Sequence, residues 1–323
     1  MKPLISIIIP TYKRSKNLVK LVNNLVRNNI NFKNFEIIIC DSDKLNITYP
    51  IIKNLIQKFK NIRIKYINII ENNHSKKRNI GIKKASSKFL IFLDDDCLPE
   101  KNFISKYYKI LFNEKEKAIF CGSVIYSENL SRFHNYRQQR HFQISNKLFM
   151  RENIGPEKIV TMNMAFNLSK IDKKKLFNER FNYYGFEDYD FAFRQSESGV
   201  KIYKCSPLVL HNDQRNYEKY LYKILFLGEN GMVYLLKLNL KAAKHINYYK
   251  LENNFIIKNL LKYNLTFYIL SFLMKNIIKI EKNLALPFFM YKLGIIFSYL
   301  LGCYLRKHIK IRKKLLGRGN WYV

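Results

Sequence analysis

The sequence predicts an α/β domain on a mostly parallel central sheet, followed by a basic, apolar helical region. Strand-like and helix-like runs alternate four times before residue 100, the pattern of βαβ units. The fourth apolar run, Phe89-Leu90-Ile91-Phe92-Leu93, has no alternation and leads directly into Asp94-Asp95-Asp96. Such a run reads as a strand buried on both faces that ends at a ligand-binding crevice. From about Tyr217 the pattern gives way to long apolar stretches divided by single lysines. The expected division is therefore 1–216, with halves of about 1–100 and 101–216, and then 217–323.

Ile5-Ser6-Ile7-Ile8-Ile9 ends at Pro10 and predicts a first buried strand, with Thr11 to Arg14 as the loop behind it. Ser15 stands where a cap belongs before Leu18, Leu21, Val22, Leu25 and Val26, which recur at helical spacing. A second strand, Phe35 to Cys40, meets Asp41-Ser42-Asp43. A helix over Ile51 to Phe59, a strand over Ile62 to Ile70 and a helix over Ser75 to Ala85 lead to the acidic strand end, beyond which Pro99 bars extension.

The rhythm then loosens. A helix over Phe103 to Phe112 precedes strands at Ala118 to Tyr126 and Val160 to Phe166. Apolar runs follow at Val200 to Cys205 and Leu208 to Leu210, with His211 directly after. Glu187 and Asp188 fall at a helix N-terminus, where the macrodipole favours negative charge. The basic, aromatic stretch from Ser131 to Gln143 reads equally as a loop over a phosphate-bearing site or as a solvated helix face.

The chain carries 58 Lys+Arg against 24 Asp+Glu, a formal charge of +34, which draws it to something anionic: nucleic acid, a phosphorylated ligand or an anionic membrane surface. Abundant Lys, Asn and Ile with scarce Gly and Ala is also what an AT-rich genome produces, so the placement of the charge matters more than its total. Cys40, Cys97, Cys121, Cys205 and Cys303 are scattered without a C-x-x-C pair, which fits a reducing compartment rather than a disulfide framework or zinc site. The N-terminal run is too short for a signal-peptide core.

Three adjacent carboxylates repel one another unless a cation neutralises them. In an extended strand Asp94 and Asp96 share a side and Asp95 points to the other. Asp94 and Asp96 are then the pair for Mg²⁺ or Mn²⁺, which prefer hard oxygen ligands, and Asp95 is expected to matter least. The plainer reading is a solvated acidic turn. No G-x-G-x-x-G follows the first strand and no G-x-x-x-x-G-K-[ST] occurs, which sets aside dinucleotide binding and P-loop ATP hydrolysis.

Four segments in this order, Ile5–Arg14, Asp41–Asp43, Asn79–Asp96 and Asn163–His211, resemble the family-2 inverting glycosyltransferases, whose catalytic domain has the GT-A fold. The resemblance implies that Pro10, Thr11, Tyr12, Arg14 and Asp41 hold the nucleotide and that Lys77, Arg78 and Asn79 lie near its diphosphate. It implies that Asp94 and Asp95 border the sugar nucleotide, with Asp96, Asp94 and His211 as ligands of Mn²⁺ or Mg²⁺. In Gly185-Phe186-Glu187-Asp188 it makes Asp188 the catalytic base and Glu187 its companion on the acceptor. Asp41-Ser42 replaces the family's usual Asp-Asp or Asp-Asn. The Q-x-x-R-W motif of processive synthases is absent, which implies transfer of a single sugar.

The implied reaction moves a sugar from a nucleoside-diphosphate donor, UDP first, to a hydroxyl of a glycan or lipid-linked glycan, with no nucleic-acid partner. Two other classes compete on the residues alone. A haloacid-dehalogenase-type phosphatase also uses D-x-D, but after its first strand rather than its fourth. A basic nucleic-acid-binding protein would explain the charge, but not three carboxylates that repel phosphate.

In the C-terminal third, Asn264 to Met274 and Leu293 to Leu305 are uncharged but fall short of the ~20 residues a span needs. Leu284 to Leu305 comes close only if Lys292 snorkels. Amphipathic helices lying in the interface fit better, and the basic tail from Arg306 to Lys314 suits an anionic leaflet. A soluble helical subdomain with a solvated basic end is the other reading. The expected location is the cytoplasmic face of a bacterial inner or plasma membrane.

Overall fold

The computed structural model describes residues 2–29, 32–126, 132–141, 152–182, 185–212 and 216–308. Ser131, Phe142, Gln143, Tyr183, Tyr184 and the basic tail beyond His308 lie outside the described residues. The chain divides into two compact units: Met1–Glu128, Gln138–Asn182 and Glu187–Asp213 form one, and Asn129–Arg137, Tyr183–Phe186 and Gln214–Val323 the other.

The first unit opens with β1 (Ile5–Thr11), α1 (Ser15–Asn28), β2 (Phe35–Asp41), α2 (Thr48–Lys58), β3 (Arg63–Asn68), α3 (His74–Lys84) and β4 (Phe89–Leu93) in strict alternation. β1, β2 and β4 are buried along their whole length, as their Ile- and Leu-rich runs require, and the polar Ser6 and Glu36 within them satisfy each other by a hydrogen bond (2.7 Å). There follow β5 (Cys97–Pro99), α4 (Phe103–Asn113), β6 (Ala118–Tyr126), β7 (Glu152–Asn153), β8 (Asn163–Asn167), α6 (Glu187–Glu197) and β9 (Lys201–His211), while α5 (Arg132–His141), between β6 and β7 in the chain, begins in the second unit. The sheet order is β3-β2-β1-β4-β8-β6-β9-β5, with β7 paired on β9. The first four strands are parallel, while β8 enters antiparallel between β4 and β6. The parallel character therefore belongs to the N-terminal half of the sheet, and the other half is mixed.

Some local expectations change. Ser15 is the first residue of α1, and Arg14 occupies the cap position without a side-chain cap bond, because its guanidinium is engaged elsewhere. The two apolar runs around Pro207 are one strand, β9. Proline is tolerated there because the register against β6 shifts between Cys121 and Ser123, leaving residues 205–207 bulged. The segment read as a loop or a solvated face is helix α5 with a buried side: Phe133, His134, Tyr136 and Arg137 are all enclosed. The Arg137 guanidinium lies 5.1 Å from the Tyr220 ring centre and 5.8 Å from that of Phe133.

The second unit continues with α7 (Tyr217–Phe226), a π-helical turn (Leu227–Gly231), α8 (Met232–Leu238), α9 (Leu240–His245), α10 (Asn247–Glu252), α11 (Phe255–Leu260), α12 (Asn264–Asn283) and α13 (Phe288–Lys307). Among the described residues, α13 alone has the length and apolarity to cross a membrane.

Candidate active site

Strand β4 stops at Leu93, and the Cys97 N–H donates to the Asp94 carbonyl (3.1 Å) to close a turn over Asp94-Asp95-Asp96. This corrects the extended geometry expected from strand alternation. β4 is central and β5 lies at the sheet edge, so the chain must leave the sheet between them, and the turn decides where each carboxylate points.

The pairing of β5 with β9 sets Cys97 opposite His211, and the Asn212 N–H donates to the Asp96 carbonyl (2.8 Å). This register brings His211 Nε2 to 3.2 Å from Asp96 Oδ1. His211 is 2% exposed, and its Nδ1 is buried without a hydrogen-bond partner. Ligands of an octahedral ion with bonds of about 2.1 Å stand about 3 Å apart along each edge, so the Asp96–His211 pair fits Mn²⁺ or Mg²⁺. Cys97 Sγ lies 4.0 Å from the same Asp96 oxygen, but thiolate suits softer metals. Asp94, on the same turn, is about one-third exposed and can complete the shell directly or through water.

Asp95 has a different task. Its carboxylate accepts from the Thr11 hydroxyl (2.6 Å) and from Arg14 (3.1 Å), tying the loop after β1 to the acidic turn. Burial pushes its pKa up to about 6, helped by Asp96 and Asp94 and opposed by the Thr11 bond and Arg14. Arg14 also donates to Asp96 Oδ2 (2.8 Å) while staying half exposed.

On the nucleotide side, Pro10 and Thr11 end β1 in register with Cys40 and Asp41 of β2, and Tyr12 is exposed just beyond. Asp41 is fully buried and accepts from the Asp43 N–H (3.0 Å) and the Tyr66 hydroxyl (3.0 Å). Lys77 is buried as well; its ammonium donates to Thr11 O, Ser42 Oγ and Asn72 Oδ1 and so clamps the ends of β1 and β2. Burial and the neighbouring Arg78 lower its pKa to about 8. Asn79 faces away, donating to Phe177 O and Glu179 Oε1.

Of the three consecutive residues, Arg78 is the one aimed at the acids. Its guanidinium is 3.9 Å from Asp94 Oδ1 and 3.6 Å from Glu187 Oε1, donates to Thr161 Oγ1 (3.1 Å), and lies 5.3 Å from the Phe177 ring centre. Its Nε and its NH1 are buried with no hydrogen-bond partner. Glu187 and Asp188 open α6 immediately after two residues of positive φ, Gly185 (115°) and Phe186 (66°). The second of these is strained for a bulky side chain, a feature typical of functional turns. Asp188 keeps partial access to solvent. Local enclosure and the adjacent Glu187 push its pKa up to about 6, against the pull of Arg78 and backbone N–H groups.

The structure thus sets Arg78 among Asp94, Glu187 and Asp188 and pairs Asp96 with His211, the two groups being joined by the turn that carries Asp94 and Asp96, with Asp95, Arg14, Thr11, Lys77 and Asp41 as the frame behind that turn. Thr161, Tyr66 and Cys97 escaped the sequence reading. Tyr66 carries no local signal, because it stands opposite Ile39 in the β2–β3 pairing and its hydroxyl reaches Asp41 only once that register is set.

Acids at the ends of parallel strands, faced by an acidic helix entry from the mixed half of the sheet, are the arrangement of a GT-A glycosyltransferase. The fold has solved counterparts. A mannosyltransferase from Pyrobaculum calidifontis, PcManGT, in complex with GDP-Man and Mn²⁺ aligns over 99% of this chain and 89% of its own, with a TM-score of 0.61 at 12% identity. TarS 1–349 of Staphylococcus aureus in complex with UDP-GlcNAc aligns over 94% and 91%, at TM-score 0.53 and 14% identity.

Residues 6–176, more than half of the chain, match the family described as Glycosyl transferase family 2. The chain belongs to that family and is a glycosyltransferase, which removes the phosphatase reading. Among relatives, a GalNAc(5)-diNAcBac-PP-undecaprenol beta-1,3-glucosyltransferase of Campylobacter jejuni is 30% identical over 75% of this chain and 74% of its own length. The UDP-Glc:alpha-D-GlcNAc-diphosphoundecaprenol beta-1,3-glucosyltransferase WfaP of Escherichia coli is 29% identical over 61% and 72%.

Proposed function

We propose that this enzyme moves one sugar from a UDP-sugar to a hydroxyl of a lipid-linked or surface-glycan acceptor, with inversion and with a divalent metal. The observation that carries this is the position of Arg78, at ion-pair distance from both Asp94 and Glu187. One buried cation serves the acids of the donor side and those of the acceptor side. The relatives named for undecaprenol-diphosphate acceptors, one of them for UDP-Glc, support the choice of substrates.

Asp96, His211 and Asp94 would hold Mn²⁺ or Mg²⁺, which when bound stabilises charge on a leaving diphosphate. Asp188 accepts the acceptor's proton, and its raised pKa brings it nearer the basicity a general base needs while leaving it ionised at neutral pH. Glu187, held by Arg78, orients the acceptor hydroxyl by a hydrogen bond. Lys77 and Asp95 keep the loop after β1 in place against the nucleotide, and Asp41 with Tyr66 borders the ribose and base. Proton removal and leaving group on opposite sides of the sugar give inversion. In this reading residues 1–100 are the donor half, 101–216 the acceptor half and 217–323 the membrane-associating region, at the cytoplasmic face.

A screen of UDP-, GDP- and dTDP-sugars for metal-dependent hydrolysis or thermal stabilisation, with Asp96→Ala as control, tests the donor and the metal. Transfer to an undecaprenyl-diphosphate glycan, with the product anomer read by NMR, tests acceptor and stereochemistry. Metal-independent turnover, or a retained anomer, would count against the reading.

A further inference from the structure

Helix α13 has the composition of a membrane span, yet 61% of its apolar window is buried within the protein. Its residues Gly294, Ser298 and Gly302 recur every four positions and meet Tyr217, Leu221 and Leu225 of α7 at the same spacing. A Cβ at Gly294 would strike the Tyr217 hydroxyl, the Ser298 hydroxyl donates to Leu221 O, and a Cβ at Gly302 would strike Leu225 O. The partner α7 carries Glu218, Lys219 and Lys223 within ten residues, a charge density that is costly in hydrocarbon. Near its C-terminal end α13 is held by buried Glu252, which accepts from the Tyr299 hydroxyl (3.0 Å), the Cys303 thiol (3.1 Å) and Arg306 (2.9 Å). α13 is the core helix of the second unit.

Among the described residues, an exposed apolar face lies on α11 and α12 instead. On α12, Leu265, Tyr268, Ile269 and Phe272 are exposed at helical spacing, while Leu270, Met274, Ile277 and Ile278 face inward. Phe255 and Ile256 on α11 are exposed as well, Phe255 by 80%. Residues 255–280 contain Lys258, Lys262, Lys275 and Lys279 and no acid, and all four lysines are exposed. Lys275 and Lys279 continue the stripe of Leu265, Tyr268 and Phe272, so one helix face is apolar at its start and cationic at its end.

We propose that the α11–α12 face docks in the plane of an anionic lipid bilayer, with its aromatic and aliphatic side chains in the headgroup boundary and its lysines against lipid phosphates. Charge complementarity selects this occupant: a second copy of the chain would set the same lysines against one another, with no acid on the face to receive them. The proposal deepens the membrane reading given above and assigns it to one surface. α13 stays within the fold.

Flotation with phosphatidylglycerol–phosphatidylcholine vesicles, without donor or acceptor, tests this separately from the transfer reaction. The full chain is expected to float with these vesicles, to stay down with phosphatidylcholine alone, and to be released by salt. Tyr268→Glu/Phe272→Glu should abolish flotation with an unchanged melting temperature. Each of Lys275→Gln and Lys279→Gln should weaken binding about fivefold. A double variant that still floats, or a soluble dimer that this substitution splits into monomers, would overturn the proposal, the latter by making a second copy the occupant. The variant Gly302→Leu, which should lower the melting temperature, reports on α13: unchanged stability would return α13 to the membrane.

Discussion

The Arg78 guanidinium stands 3.6 Å from the Glu187 carboxylate, although the two lie on different helices from opposite halves of the sheet. The same guanidinium is 3.9 Å from Asp94. A buried guanidinium favours the ionised form of a nearby carboxyl, and Arg78 pulls on Asp188 in this way.

Arg78→Gln should therefore raise the pKa of Asp188, because Arg78 holds it down. The acidic limb of kcat/KM against pH should move to higher pH, beyond a loss of rate at the optimum. Removing one partner of a buried ion pair costs about 3–5 kcal/mol, so Arg78→Lys serves as the milder variant. It should restore most of the stability and only part of the pH profile. An unmoved acidic limb in both variants would remove Arg78 from the control of the base.

Asp188→Asn should bind the sugar nucleotide nearly normally and lose about 10²–10⁴ in transfer rate. In the wild type, activity should fall as pH drops through about 6, where the base becomes protonated. The neighbouring Cys121 thiol, raised by burial to about 12, does not titrate in that window. Linkage gives a readout independent of activity. Asp188 has a folded-state pKa above its unfolded value, so its ionised form opposes folding above pH 6 and this opposition disappears as pH falls below the ordinary Asp range. Asp188→Asn should thus melt higher than wild type at pH 7.5, and this gap should close as pH falls below about 3, under the ordinary Asp pKa.

Mn²⁺ titration, followed by calorimetry or electron paramagnetic resonance, should show binding in the presence of UDP that Asp96→Ala abolishes and His211→Ala weakens. Chelation should stop turnover, and added Mn²⁺ should restore it. Cys97→Ser is expected to bind Mn²⁺ as the wild type does, since hard oxygen and imidazole donors suffice. Wild-type affinity in both the Asp96 and His211 variants would place the metal elsewhere.

Asp95→Ala should destabilise the protein rather than empty the metal site. It would leave the Thr11 hydroxyl without its partner and loosen Arg14, at a cost of about 1–3 kcal/mol measured by denaturant unfolding. Equal loss of Mn²⁺ binding on replacing Asp94, Asp95 and Asp96 would contradict this division.

Much of the fold was legible because its signals are local. β1, β2 and β4 are short runs rich in Ile, Leu and Phe and bounded by Pro10, Asp41 and Asp94, a length and composition that suit a strand covered on both faces. Residue types at the candidate site were legible too: adjacent carboxylates beyond a buried strand end call for a cation wherever the chain goes next. Directions were not. Asp95 was expected to matter least of the three acids, yet it anchors the loop after β1, because the turn that follows Leu93 replaces strand alternation. Arg14, Lys77 and Asn79 are polar residues of similar promise in sequence, and their hydrogen bonds separate a neutralising cation, a buried clamp and a side chain that faces away.

By itself, then, the sequence determined the α/β class, the order of the elements and the chemical kinds of group at the strand ends, since periodicity and composition act through near neighbours. Only the tertiary structure decided which groups meet. His211 reaches Asp96 through the register of β5 on β9, and Arg78 reaches Glu187 through the packing around Phe177 and Thr161. Helix α13 is drawn into the core by the matched spacing of its small residues against α7, which its hydropathy alone does not reveal. Those contacts join residues far apart in the chain, and no local pattern encodes the distance between them.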